Sequence, residues 1–272
     1  MSYHIQAPPF IPTIIAVSAG FLGYLFYVGH DDASSLSFVS RKKKETKQDD
    51  SSGSKFMNIS VEDTLHLIQN RRTIFPQQYT GQPVSKQIIC DMLEAARWAP
   101  SHKLTEPWRF IVFHSDVARK ELGLYLATQY KNETPVAKFS QAKFEKKSAS
   151  AERSSCVMAI CVQLPSQMDN PLMEEICSVA MAVQNMHLVA TANGIGAYWS
   201  TGGVYGNFDN KDVYHVASNP SCLTEFLNLE NQLCIGWFYI GTYYDNLEGA
   251  KPKTWPTGRR KPMDDGVRVI WR

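Results

Sequence analysis

The chain has no lysine or arginine before Arg41 and no Cys-x-x-Cys pair among its six cysteines. The first absence removes the positive n-region of a secretory signal and the arginine-rich face of a mitochondrial presequence. The second makes buried free thiols the expectation for Cys90, Cys156, Cys161, Cys177, Cys222 and Cys234, most of which lie in apolar runs, over a disulfide framework or a thiolate metal site. Ser200 has no Gly-x-Ser-x-Gly elbow around it, since positions 198 and 202 are Tyr and Gly. Gly194-x-Gly196 lacks the third glycine of a dinucleotide fingerprint and stands after a helix and before a strand, the reverse of the required order. His102, His187 and His215 form no Glu-x-x-His arrangement, so no metal site is legible. A net charge of +2 and a pI near 8.1 are too mild to argue for nucleic acid. Hydrolase readings therefore lack their parts, and what remains is chemistry carried by a cofactor, which needs no dedicated nucleophile or general base in the chain.

Charge is also missing from residues 10–28, a run rich in Ile, Phe, Leu and Gly with Tyr24 and Tyr27 toward its far end. At 1.5 Å per residue it is long enough to cross a bilayer. Residues 1–30 are therefore expected to form a membrane anchor, with a cleaved or atypical targeting segment as the alternative. Arg41 and the three lysines after it then place the rest of the chain on the cytosolic side. Residues 31–57, rich in Ser, Asp and Lys, read as a flexible tether without a core. Residues 58–272 are left as one domain, and its 215 or so residues are enough for a full core.

Within that domain the periodicity predicts helix, helix, strand, helix, helix, strand, long helix, strand, helix, strand. Residues 156–164 and 233–242 are the later long strands, and a helix covers about 172–193 before Asn193-Gly194 stops it. Helices outnumber strands, which fits an α+β arrangement with a mixed, largely antiparallel sheet covered on both faces. Apolar residues at Ile176, Val179, Ala180, Val183, Met186, Leu188 and Val189 cover more than half the circumference of the long helix, so it is expected to be buried nearly all round. Residues 116–150 carry charge at helical spacing and suit a lid or a solvated helical pair.

Two short segments carry more polar hardware than linking requires. Between Pro100 and Pro107 stand a hydroxyl, an imidazole, an ammonium, a second hydroxyl and a carboxylate: Ser101, His102, Lys103, Thr105 and Glu106. The prolines hold this helix-to-strand junction stiff and extended. About thirty residues earlier, Arg71-Arg72-Thr73 follows an amphipathic helix that opens with the capping pair Ser60 and Asp63. Two guanidiniums beside a hydroxyl can bind a phosphate by charge-assisted hydrogen bonds, although an arginine pair at a helix end also serves simply to complement the helix dipole.

In order along the chain come Arg71-Arg72-Thr73, then Ala99-Pro100-Ser101 with Glu106-Pro107-Trp108-Arg109-Phe110, then Ala182-Val183-Gln184-Asn185-Met186 in the long helix. The segments 194–203, 235–241 and Arg259-Arg260-Lys261-Pro262 follow. Together they resemble the nitroreductase family of flavin enzymes over residues 58–272. The resemblance implies a three-layer α-β-α fold, a homodimer joined through the long helix, and flavin mononucleotide (FMN) as cofactor in two sites built across the subunit boundary. It implies NADH or NADPH as donor in a ping-pong reaction with a nitroaromatic, quinone or enone acceptor. Carried over residue by residue, it assigns Arg71, Arg72, Thr73 and Arg260 to the phosphate, and Ser101, His102 and Glu106 to the ring and ribityl chain. Trp199, Ser200, Thr201 and Gly202 fall at the turn facing the ring, with Ser200 or Thr201 as partner of N5. Leu104 and Phe75-Pro76-Gln77 depart from the family pattern, where Asn and an Arg are common. Thr105-Glu106-Pro107-Trp108 is similar also to iodotyrosine deiodinase, which implies reductive dehalogenation as an alternative; a flavin-binding protein without turnover is another.

Overall fold

The computed structural model describes residues 59–164, 171–204, 219–243, 256–258 and 260. The run 10–28, the stretch 31–57 and most of the C-terminal basic segment lie outside them. Among the described residues no helix is long and apolar enough to cross a membrane.

The elements follow the expected order: α1 (Val61–Asn70), α2 (Lys86–Ala96), β1 (Trp108–Phe113), α3 (Asp116–Glu133), α4 (Gln141–Arg153), β2 (Cys156–Gln163), α5 (Leu172–Ala192), β3 (Ile195–Ser200), α6 (Ser221–Leu227) and β4 (Gln232–Thr242). Short polar side chains open four of the helices. Ser60 Oγ accepts from the Asp63 N–H, and Ser85, Ser115 and Ser140 do the same for α2, α3 and α4, each satisfying an amide that the helix itself cannot.

The four strands form one antiparallel sheet in the order β1-β2-β4-β3. As expected of a largely antiparallel mixed sheet, the parallel component among the described residues is small, a single bridge from Thr73 to Ala197 on the open edge of β3. The chain reaches that edge through a turn and not a strand, because Pro76 and the short helical turn it begins stop the pairing after Ile74.

Strand alternation distributes the core to both faces. From β2, Cys156, Met158, Ile160 and Val162 join α2 and α5 on one face, while Val157, Ala159 and Cys161 join α3, α4 and α6 on the other. In β4 the parity changes midway. Ile160 pairs with Gly236 and Cys161 with Cys234, so Ile235 is an extra residue, and this bulge turns Leu233 and Ile235, then Phe238 and Ile240, toward the same face. The result is three layers, helices on sheet on helices. Residues 116–153 form the helical pair α3 and α4 within the outer layer, with Leu122, Leu126 and Ala151 buried.

The long helix departs from expectation. Its sheet side is buried through Val179, Ala182, Val183, Met186 and Ala190, but Met173, Cys177, Met181 and Gln184 are exposed at a spacing of four, four and three, one continuous stripe. The apolar face of α1 is bare as well: Val61, Leu65 and Ile68 are 77%, 48% and 46% exposed. Periodicity reported an apolar circumference correctly; among the described residues no element covers these two faces.

Candidate functional site

The arginine segment leaves α1 and is pinned to β3 on one side and to α5 on the other. The Ile74 N–H donates to the Ala197 carbonyl at 3.0 Å, and the His187 Nε2 lies 2.9 Å from the Arg72 carbonyl. His187 is buried on α5, and burial together with the nearby Arg71 guanidinium lowers its pKa to about 4, so the ring is neutral and Nε2–H donates. The Arg72 guanidinium is committed to backbone: Nε donates to Pro256 O at 2.8 Å and Nη1 to Arg71 O at 2.8 Å and to Gln69 O. Gly258 presses on it so closely that a β-carbon there would sit 2.3 Å from Nη2. Arg71 is different. Its pKa falls below the usual arginine value through burial, then repulsion from Arg260 and from Arg72. Among the described residues neither Arg71 nor Arg72 forms an ion pair with a carboxylate. The Arg71 guanidinium therefore stands beside two like charges, an arrangement that a bound anion would offset.

The proline-braced loop packs on the opposite end of α5. Thr105 Oγ1 donates to Glu175 Oε2 at 2.7 Å, and His102 Nδ1 is 3.4 Å from Glu174 Oε2. The Glu106 N–H donates to Ser101 Oγ at 3.3 Å, and Arg109 Nη1 donates to the Glu106 carbonyl at 3.0 Å. Both backbone groups of Glu106 are thus engaged, by the loop's Ser101 and by Arg109 of β1. Lys103, Leu104 and Glu106 have φ of 51°, 57° and 45°, left-handed values that cost on the order of 1 to 3 kcal/mol each for residues other than glycine.

At the end of β3, Ser200 Oγ accepts from the Gly202 N–H at 3.3 Å, and the Trp237 indole N–H donates to the Gly202 carbonyl at 3.1 Å. The turn is therefore fixed from beneath, with Thr201 and Gly202 exposed. Trp199 points to the core face, and its indole nitrogen lies 2.1 Å from where a β-carbon on Gly236 would be, a crossing that only glycine permits. Lys147 of α4 brings its ammonium to 3.6 Å from the β-carbon position of Gly202 and 5.8 Å from the Tyr130 ring centre; burial lowers its pKa.

One chain brings together only half of the expected set. Arg71, Arg72, Thr73 and Arg260 gather with the β3 edge, next to the strand that leads to Trp199, Ser200, Thr201 and Gly202. Ser101, His102 and Glu106 precede β1, at the opposite edge of the sheet. Thr105 meets α5 at Glu175 and the Arg72 carbonyl meets it at His187, twelve residues on, or roughly 18 Å along the helix.

Glu175, His187, Trp237 and Lys147 support these segments and were not singled out as site residues from the sequence. A carboxylate and an imidazole on the buried side of α5 were the available signal. For Trp237 and Lys147 no local pattern could have said what they would touch.

A family model described as the nitroreductase family matches residues 68–242. YfhC of Bacillus subtilis (strain 168), whose name places it among NAD(P)H nitroreductases, is 29% identical over 136 residues, covering 50% of this chain and 68% of that protein. A nitroreductase-like family protein from Bacillus cereus superposes with a TM-score of 0.57 at 21% identity, over 79% of this chain and 98% of the other. A nitroreductase with bound FMN from Bacteroides fragilis NCTC 9343 gives 0.50 at 21% identity, over 77% and 99%.

Proposed function

This chain belongs to the nitroreductase family, and on that premise we propose that it is an FMN-dependent oxidoreductase passing electrons from NAD(P)H to an electrophilic organic acceptor, a nitroaromatic, quinone or enone. The observation that carries the reading is the guanidinium cluster: Arg71 has no carboxylate partner among the described residues and is repelled by Arg260 and Arg72. A phosphate monoester is the ligand chemistry that such a cluster fits. Bound FMN would supply two-electron chemistry that the side chains lack.

The protein's own residues then bind and orient. Arg71 and Arg260, with the Thr73 hydroxyl, hold the phosphate, while Arg72 fixes the segment to the C-terminal residues 256–258. Ser101, His102 and Glu106 hold the pyrimidine side and the ribityl chain. Ser200 and Thr201 offer hydroxyl donors at the ring, on a turn braced by the Gly202 N–H on Ser200 Oγ, where a developing negative charge is stabilised by preorganised hydrogen bonds.

Because the two half-sites lie on opposite sheet edges, we place the loop of one copy against the arginines of a second. The exposed Met173, Cys177, Met181 and Gln184 stripe and the bare face of α1 are the surfaces that such a homodimer would cover. An antiparallel pairing of two α5 helices sets each Glu175 end beside the other copy's His187 end. Residues 10–28 are proposed to hold this assembly at a membrane with the catalytic domain on the cytosolic side; comparing the cellular location of the full chain with that of a chain lacking residues 1–40 tests it.

Anaerobic addition of NADPH or NADH to the FMN-loaded protein tests the activity. Loss of the flavin absorption band, and its return on adding a nitroaromatic or quinone, is expected. A band unchanged by both donors would refute the oxidoreductase reading.

A further inference from the structure

Glu175 is the most deeply buried carboxylate among the described residues, 1% exposed at the start of α5, and the groups around it touch the loop that carries Ser101, His102 and Glu106. A buried charge persists only where the surroundings offset its lost hydration. The first turn of a helix contributes partial positive charge there, and the Thr105 hydroxyl donates at 2.7 Å.

The loop it grips is under strain that its own packing does not repay. Lys103, Leu104 and Glu106 occupy left-handed backbone, yet Leu104 is 84% exposed and Lys103 is exposed too, so no burial compensates them. A connection that served only to join α2 to β1 would place glycine or asparagine at such positions. Among the described residues the contacts that hold the shape include Thr105 to Glu175, His102 to Glu174, the Glu106 N–H to Ser101, Arg109 to the Glu106 carbonyl, the Thr105 N–H to the His102 carbonyl and the Gln163 N–H to the Pro107 carbonyl. Only the first ties the loop to a fully buried group on another element.

We propose that Glu175 is a positioning residue which, through the Thr105 hydroxyl, holds the strained loop in its FMN-binding shape before the cofactor arrives. This rests on the FMN reading above. Glu175 touches neither cofactor nor acceptor. Its effect is preorganisation: the ordering of residues 101–107 is completed on folding and is not charged against binding. Losing the hydrogen bond lets Lys103, Leu104 and Glu106 relax to ordinary backbone, and the loop must then be re-formed each time FMN binds.

The test measures FMN affinity of the full-chain apoprotein by fluorescence quenching of free FMN, with thermal unfolding of the same apoproteins in parallel. T105V and E175A are expected to weaken FMN binding by roughly tenfold, the scale of one hydrogen bond to a charged group. T105S and E175Q keep a donor and an acceptor and are expected to restore it. The double variant T105V/E175A is expected to bind no more weakly than either single one, because both remove the same contact. Thr105 is exposed, so T105V reports even if E175A does not fold. A merely structural role lowers the unfolding temperature and leaves the affinity of the folded apoprotein unchanged; wild-type affinity in folded T105V overturns the proposal and leaves the oxidoreductase reading standing. Failure of the wild-type apoprotein to bind FMN at all overturns both.

Discussion

Replacing Arg71 and Arg72 one at a time by alanine separates an anion-binding guanidinium from a structural one. Arg72 Nε and Nη1 donate to the carbonyls of Pro256, Arg71 and Gln69, so Arg72→Ala strands acceptors that tie α1 to the C-terminal segment. Hydrogen bonds from a charged donor contribute about 1.5 to 3 kcal/mol each, but these carbonyls are partly reached by water. Apoprotein stability is therefore expected to fall by roughly 1 to 3 kcal/mol. Arg71→Ala removes a group that is itself disfavoured by burial and by two neighbouring guanidiniums, and its apoprotein is expected to unfold at the wild-type temperature or slightly above. Toward FMN the order reverses. A half-exposed guanidinium on a phosphate is taken at the low end of the charge-assisted range, about 1.5 kcal/mol, or roughly a tenfold loss of affinity. Calorimetric titration of each apoprotein with FMN, beside a thermal unfolding scan, reads both effects. Wild-type FMN affinity in Arg71→Ala, or an apoprotein as unstable as Arg72→Ala, would refute the division of roles.

Two further outcomes are expected. His187 is neutral in the fold with a pKa near 4 and returns toward 6.5 on unfolding, so between these values the unfolded chain binds the extra proton. Stability should thus be flat above about pH 6.5 and fall by up to roughly 3 kcal/mol as pH drops to about 4; urea titrations at several pH values show the slope, and its persistence in His187→Gln would assign it elsewhere. Met181→Lys puts a charge at the centre of the exposed α5 stripe and should shift the protein toward monomer in sedimentation velocity, together with loss of FMN, whereas a monomeric wild type would remove the basis for the dimer.

The order of elements was legible from the sequence because each long element shows its period clearly. In residues 156–162 apolar side chains run unbroken, as they must in a strand covered on both faces, and Ser60, Ser85, Ser115 and Ser140 each precede a helix. Less visible was the bulge at Ile235. It changes which residues of β4 face α5, but an unbroken apolar run carries no period to betray the slip. On α5 periodicity alone does not choose between a core helix and an interface helix, for a similar reason: Met173, Cys177 and Met181 are apolar whether their cover lies in the same chain or in another. For the candidate site, the sequence shows which residue types are available and in what order, while their grouping across two copies follows only from the resemblance. Nothing local to Arg71 or Glu106 states that β1 and β3 end up at opposite edges of the sheet, and it was the sheet order that split one expected site into two halves.

The central claim is that these halves meet across two copies, and mixed dimers test it most directly. Arg71→Ala and Glu106→Ala are purified separately as apoproteins, dissociated, mixed in equal amounts, reassociated and titrated with FMN. If each site takes Arg71 from one copy and Glu106 from the other, half of the dimers are mixed and each holds one intact site, restoring about one quarter of the wild-type high-affinity sites. If both residues of a site come from the same chain, every site in the mixture carries one lesion, and no high-affinity binding returns.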